Sequence, residues 1–333
     1  MKRKTISDVA RVANVSVSTV SHVVNRTRNV EATTNFRVLR AIEQLNFVPN
    51  SIAQALKSDR TKTIGMVVAS STNPFFAQVI HGVGEECNRQ GFSLILANCG
   101  DKLDLLTTHL QTLLAKRIDG LIVMTTNSSI EFFDHITNIN NLPVVAIDTG
   151  QNKKLCTVND DSFYGGSLVG KYLATKNYSK TIFCIAGPVG HPSSDLRSKG
   201  FLEGLSSSGY PLYRAKVFHS SGLGLSDGYN LTKNIIDTKE LPQSIFAVND
   251  LLAIGAISAL SQAGFKIPQD ISIVGYDNIE ISAYTSPPLT TVEQKAENLG
   301  QVAANLVIQN LGKGVDFNQS ITLTSKLIVR KSS

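Results

Sequence analysis

The chain has 333 residues, 42% hydrophobic and 17% charged, a balance that suits two or three packed domains and argues against long disordered tracts. The formal net charge is +6, and residues 1–60 carry all of it: they hold ten Lys/Arg against four Asp/Glu, while the remainder holds 22 of each. No apolar run approaches the roughly 18 residues of a membrane span, and no apolar stretch follows the basic Met1-Lys2-Arg3-Lys4, so neither a membrane helix nor a secretory signal is expected.

The first predicted helix opens at Thr5-Ile6-Ser7-Asp8, a capping-box-like start. It sets Ile6, Val9, Ala10 and Ala13 on one face. Asn14 tolerates the left-handed conformation that stops a helix. Ser16 caps a second helix from Val17 to about Asn25, with Val20, Val23 and Val24 apolar. A third helix is expected from about Ala32 to Leu45, with Pro49 ending it.

From Thr63 the texture changes to short β-rich runs alternating with amphipathic stretches. Strands are expected at 63–69, 92–98, 120–125, 143–148, 181–187, 215–220, 244–250 and 272–277. Helices lie between most of them, as at 75–90, 103–117, 162–176, 194–208 and 251–263. Such alternation predicts α/β architecture with doubly wound parallel sheets. Ile182-Phe183-Cys184-Ile185-Ala186, apolar without alternation, has the texture of a parallel strand covered on both faces. The length of this part suits two lobes with a cleft between them. No two of Cys87, Cys99, Cys156 and Cys184 are spaced C-x-x-C, so reduced, buried thiols in a cytoplasmic protein are expected.

A small basic module on a neutral body is what binding to phosphates requires. Within that module, residues 5–25 meet the demands of a helix-turn-helix. Ala10 permits a close helix crossing, a tight turn follows, and Ser16, Ser18, Ser21 and His22 lie on the outer face of the second helix. Short polar side chains let a helix sit deep in the major groove, where hydroxyls and imidazole reach base edges. Arg26 and Arg28 follow, able to reach guanine edges or phosphates. The plain alternative is a three-helix bundle with a serine-rich surface.

Val15-Ser-Val-Ser-Thr-Val-Ser-His-Val-Val-Asn25 and Leu45-Asn-Phe-Val-Pro-Asn50 resemble the head of the LacI/GalR family of bacterial repressors. The resemblance continues through Thr63-Ile-Gly-Met-Val-Val, Asn73-Pro-Phe-Phe, Asp119-Gly-Leu-Ile, Val248-Asn-Asp250, Ile273-Val-Gly-Tyr-Asp277 and Pro287-Pro-Leu-Thr-Thr291. In flavour it is most similar to the ribose and purine repressors, which also carry histidine at the position of His22.

The resemblance implies a helix-turn-helix domain at 1–48, a hinge helix and linker at 49–61, and a two-lobed, periplasmic-binding-protein-like effector and dimerisation domain at 62–333. It implies that the chain crosses between lobes near 161, 291 and 320. It carries DNA contacts onto Ser16, Val17, Ser18, Ser21, His22, Asn25 and Arg28, and onto Asn50, Ala53 and Leu56 of the hinge. Leu56 matches the leucine that wedges open the central base step, an established minor-groove device. Asn50-Ser-Ile-Ala-Gln-Ala-Leu-Lys57 is in any case too short to be a stable helix alone. Asn35 stands where the family often has a basic residue, which weakens the case for a phosphate contact there.

For the body, a polar ligand needs carboxylates, amides, an arginine and aromatic faces. Open α/β sheets offer these at strand ends. Asp148, Asn249 and Asp277 end apolar runs, Phe75 and Phe76 follow the first strand, and Arg197 is expected to begin the helix after Gly187-Pro-Val-Gly-His-Pro-Ser-Ser194. The resemblance supports Phe75, Asp148, Arg197, Asn249 and Asp277 as effector contacts, with Phe76 read rather as core. It adds three departures from the purine pattern: His191 in place of arginine, Ser193 in place of threonine, and Leu223 in place of an aromatic ring. The resulting expectation is a repressor of near-palindromic operator DNA, a homodimer, controlled by a sugar such as ribose, with a purine as the alternative.

Other classes fare worse. Gly224-Leu-Ser-Asp-Gly228 matches the nucleophile-elbow pattern of hydrolases, but no histidine follows Ser226 to complete a triad. No P-loop, H-E-x-x-H or cysteine metal box is present, so neither a catalytic metal nor a cofactor is expected. A free sugar-binding protein would share the body and lack residues 1–57.

Overall fold

The computed structural model describes residues 4–25, 27–47, 60–100, 102–125, 142–149, 155–176, 180–312 and 319–333. Arg26, Pro49 and the hinge positions Asn50, Ala53 and Leu56 lie outside the described residues. The chain divides into two units, Met1–Thr61 and Lys62–Ser333.

Among the described residues of the first unit are three helices: α1 (Ile6–Ala13), α2 (Val17–Asn25) and α3 (Ala32–Leu45). Thr5 and Asp8 form a reciprocal capping box, with the Thr5 amide donating to Asp8 Oδ2 at 2.9 Å and the Asp8 amide to Thr5 Oγ1 at 3.3 Å. Asn14 adopts φ 51° and ends α1. The end of α3 is set not by Pro49 but by Asn46, at φ 45°. That left-handed turn lets the Phe47 amide reach back to the Ile42 carbonyl at 2.9 Å and folds the Phe47 ring into the core. The core is Val9, Ala10, Ala13, Val20, Val38, Ala41 and Phe47.

Two six-stranded sheets organise the second unit. The strands of the first lobe are β1 (Thr63–Val68), β2 (Ser93–Asn98), β3 (Gly120–Met124), β4 (Val144–Ile147), β5 (Cys156–Asp160) and β11 (Ser320–Leu323), in the order β11-β5-β4-β3-β1-β2. Those of the second are β6 (Ile182–Ala186), β7 (Ala215–His219), β8 (Ser244–Ala247), β9 (Ser272–Asp277), β10 (Thr290–Glu293) and β12 (Lys326–Ile328), in the order β12-β10-β9-β8-β6-β7. All pairings are parallel except β10 with β12. The sequence reading omitted β5, β10, β11 and β12. Of these, β10 to β12 are only three or four residues long, too short for a periodicity to show. The central strands are buried throughout, as an α/β sheet covered on both faces requires.

Among the described residues, the α-helices of the body are α4 (Pro74–Arg89), α5 (Leu103–Ala115), α6 (Ser162–Lys176), α7 (Pro192–Ser207), α8 (Leu225–Asp237), α9 (Asp250–Gln262) and α10 (Ala296–Gln309). Three helix pairs cross through reciprocal glycines. A Cβ on Gly166 or Gly200 would lie 2.0–2.1 Å from a backbone carbonyl of the facing helix, and the same holds within 2.0–2.2 Å for Gly82 with Gly300 and for Gly228 with Gly255. Helices therefore approach at backbone contact, and alanine is excluded there without a shift.

The chain passes between lobes three times: from β5 into α6 at Asp161, from β10 to α10 through Gln294 and Lys295, and from β11 to β12 through Thr324 and Ser325. Among the described residues no helix is long and apolar enough to cross a membrane.

Candidate DNA interface and effector cleft

On the head, Ser16, Val17 and Ser18 at the start of α2 are exposed, as are Asn25 and Arg28. Ser21 and His22 are half-buried. Ser16 Oγ accepts from the Thr19 amide at 3.1 Å and so caps α2. The polar face is internally braced: His22 Nδ1 bonds Thr27 Oγ1 at 2.9 Å and Asn25 Nδ2 donates to Ser21 Oγ at 3.1 Å. The first bond fixes the imidazole plane and leaves Nε2 as its other polar atom. Val17, 44% exposed, adds an apolar group of the kind that packs on a thymine methyl.

In the body, the loops at the carboxyl ends of the strands meet between the lobes. Phe75, Asp148, His191, Ser193, Arg197, Leu223, Asn249 and Asp277 all line one cavity there. The structure thus brings together every body residue expected to contact the effector, and adds Asn73, Met124, Thr125 and Ile147, with Phe76, read as core, also on the lining.

Each position has a local cause. Asn73 caps α4 by accepting from the Phe75 amide at 3.0 Å. Phe75 and Phe76 are therefore on the first turn of a helix, as the expected helix at 75–90 implies. Phe75 is the more deeply buried and belongs to the first lobe's core, and Phe76 packs on that core. His191 caps α7, so Arg197 sits in the second turn of that helix rather than at its start. Proline at 192 begins a helix readily, because its missing N–H is an orphan donor at that position. Asn249 caps α9, accepting from the Leu252 amide at 2.8 Å and donating to the Leu223 carbonyl at 2.9 Å. Asp148 and Asp277 adopt φ 54° and 111°, where strands turn abruptly into the cleft. Leu223 packs against Gly187, where a Cβ would come within 2.6 Å of its methyl.

Arg197 is the centre of the arrangement. It is 6% exposed and lies 3.9 Å over the Tyr276 ring. Its Nη1 donates to the Val248 carbonyl at 2.8 Å and to Asp277 Oδ1 at 3.2 Å, and Nε donates to Ser162 Oγ at 3.3 Å. None of these bonds uses Nη2. Across the cleft, Ser193 Oγ donates to Asp148 Oδ2 at 3.0 Å. Burial pushes both carboxyls up to about 7; the nearby Asp160 carboxylate adds to the rise at Asp148, while Arg197 pulls Asp277 down. Burial alone would lower Arg197, but Asp277 and its neighbours hold it fully charged. The cavity measures about 50 Å³.

Gln294, Tyr276, Asp160, Ser162 and Ser325 went unnoticed in the sequence as site residues. Gln294 is fully buried and donates Nε2 to Asp277 Oδ1, while its Oε1 has no partner among the described residues. The polar run Asn159-Asp160-Asp161-Ser162 between an apolar strand and a helix was the one available signal. The G-x-S-x-G segment is a helix start: the Gly224 amide donates to Asp227 Oδ2 at 2.9 Å, and Ser226 lies exposed on α8.

A basic, capped helix-turn-helix joined to a two-lobed sheet body with a charged cleft defines the class of ligand-responsive DNA-binding regulators. Residues 5–50 match the bacterial regulatory proteins of the lacI family, and residues 61–331 match the periplasmic binding proteins and sugar binding domain of the LacI family. The chain belongs to the LacI family and is a DNA-binding regulator of the repressor type. It is 40% identical over 329 residues, 98% of each chain, to the HTH-type transcriptional repressor PurR of Pasteurella multocida. Its fold is similar to that of the lac repressor dimer bound to operator and the anti-inducer ONPF, with TM-score 0.88, 27% identity and 99% of each chain covered. It is also similar to a LacI family regulator from Enterococcus faecium with bound ribose, with TM-score 0.73, 28% identity, 81% of this chain and 98% of that chain covered.

Proposed function

We propose that the chain represses transcription by binding a near-palindromic operator as a homodimer in the bacterial cytoplasm, under control of a small polar effector held in the cleft. Residues 1–48 read the DNA, 49–61 form the hinge, and 62–333 bind effector and partner subunit. The observation that carries the effector reading is the buried Arg197, whose bonds among the described residues use Nε and Nη1 and not Nη2, faced by Asp148 and Asp277 at the meeting point of the lobes. An arginine and two carboxyls offer donors and acceptors to one ring.

For the identity of the effector, the support divides. The relatives matched over almost the whole chain are PurR repressors, which favours a purine over the ribose expected from the sequence. Carboxyls with pKa raised to about 7 also suit a purine, because each can accept from a ring N–H or, when protonated, donate to a ring nitrogen. The second reading, a pentose, rests on one specific observation: Leu223 and His191 stand in the cavity where an aromatic platform and a second arginine would serve a purine. The ribose-bound neighbour agrees with it.

Thermal unfolding against hypoxanthine, guanine, D-ribose and D-xylose at millimolar concentration separates the readings. A ligand at about 100 times its dissociation constant adds about 2.7 kcal/mol. A shift with purines alone supports the first reading, and a shift with a pentose alone overturns it in favour of the second. Operator binding that is indifferent to every compound that shifts unfolding would sink effector control itself.

A further inference from the structure

Each of the three passages between lobes delivers a side chain to one buried network behind the cleft. At the first, Asp160 Oδ1 accepts from Ser162 Oγ at 2.7 Å, and Ser162 in turn accepts from Arg197 Nε. At the third, Ser325 Oγ donates to Asp160 Oδ2 at 3.3 Å. At the second, Gln294 donates to Asp277, the carboxylate paired with Arg197. Tyr276 closes the circuit, donating its hydroxyl to Asp160 Oδ2 at 2.7 Å while its ring lies under the guanidinium.

The placement is built rather than incidental. Tyr276 is fully buried, and its hydroxyl occupies a slot at Gly165, where a Cβ would fall within 2.1 Å of it. A phenylalanine would fill the same core space; what it would lack is the hydroxyl that donates to Asp160. Asp160 lies on the first lobe's sheet and Tyr276 on the second's, so this bond ties the two lobes beside the interlobe passages.

We propose that Tyr276, Asp160, Ser325 and Gln294 are positioning residues that connect all three interlobe passages to Arg197, so that displacement of the arginine by an effector is transmitted to those passages. The inference rests on the effector reading above, since it is the effector that moves Arg197. Coupling of this kind needs an element with two arrangements. Here the element is the set of three interlobe passages, and the network weights one arrangement.

Hydrogen exchange of the full-length protein without any small molecule tests the network first. In Tyr276→Phe, amides of the three segments 160–162, 293–295 and 323–326 are expected to exchange about tenfold faster, because a hydrogen bond to a charged group is lost. Amides at the centres of β1 and β6 keep their rates. Acceleration confined to 274–278, or spread evenly through both lobes, overturns the network. The second readout is the ratio of operator affinities with and without hypoxanthine, or with and without D-ribose, whichever acts on the native chain. That ratio is expected to move about threefold toward one in both Tyr276→Phe and Ser325→Ala. A merely structural loss would leave the ratio unchanged, and that result overturns the proposal. Should neither compound act on the native chain, it is the effector reading that fails, and the exchange pattern still decides the network.

Discussion

Ser193 Oγ donates to Asp148 Oδ2 at 3.0 Å, and the two residues belong to different lobes. This bond spans the cleft between the lobes, and a ligand that takes up Asp148 Oδ2 is expected to replace it. Ser193→Ala is expected to lower stability by about 1 kcal/mol and to tighten effector binding, because the ligand no longer breaks a bond to enter. Urea denaturation and effector titration read the two effects; weaker binding in the variant would mean that the hydroxyl contacts the ligand instead.

Asp148 also makes stability depend on pH. Its carboxyl is pushed from an ordinary 3.8 up to about 7, by burial first and the Asp160 carboxylate second. Between about pH 4 and 7 the folded chain holds a proton that the unfolded chain has released, so stability falls as pH rises through that window. Melting temperatures taken from pH 5 to pH 8 should decline, and Asp148→Asn should flatten the decline. A variant with the native slope would place the titrating group elsewhere, with Asp277 next in line.

Arg197 is a buried charge whose partners remain if it is removed. Arg197→Met leaves Asp277 without its cation and is expected to destabilise the body by about 3–5 kcal/mol. The effector response should vanish, while the separate head unit still binds DNA. Calorimetry of the variant with and without purines and pentoses checks this; a retained shift would remove Arg197 from the site.

Leu223 sets the choice of ring. Leu223→Phe is expected to strengthen the response to a purine by about 0.5–1.5 kcal/mol, the worth of an aromatic contact, and to leave a pentose unaided. Dissociation constants for hypoxanthine and ribose in both proteins decide it. Because Leu223 abuts Gly187, native-like unfolding of the variant is the accompanying control.

On the head, His22→Ala is expected to relax base preference at one operator position by about 1–3 kcal/mol, with the salt dependence of binding unchanged, since no phosphate contact is lost. A binding-site selection experiment with the variant shows whether one position or none is affected.

Much of the molecule is legible residue by residue because its causes are local. The capping box of Thr5 and Asp8, the left-handed Asn14 and the apolar strand 182–186 each follow from neighbours within a few positions, and so does the basic excess of the head. The end of α3 is the counterexample: Pro49 attracts attention as a helix breaker, yet Asn46 turns first because Phe47 gains burial by it.

What only the tertiary structure decided lies where distant segments meet. Arg197 and Asp277 are 80 residues apart, Tyr276 and Asp160 116, and Ser325 and Asp160 165. Each looks like an ordinary polar residue in its own stretch of sequence. They become a single charged network because the chain passes three times between the lobes and brings its strand ends to one point. Burial there removes the water that would otherwise satisfy these groups, so they turn to one another for hydrogen bonds, and that pairing cannot be read from any one segment.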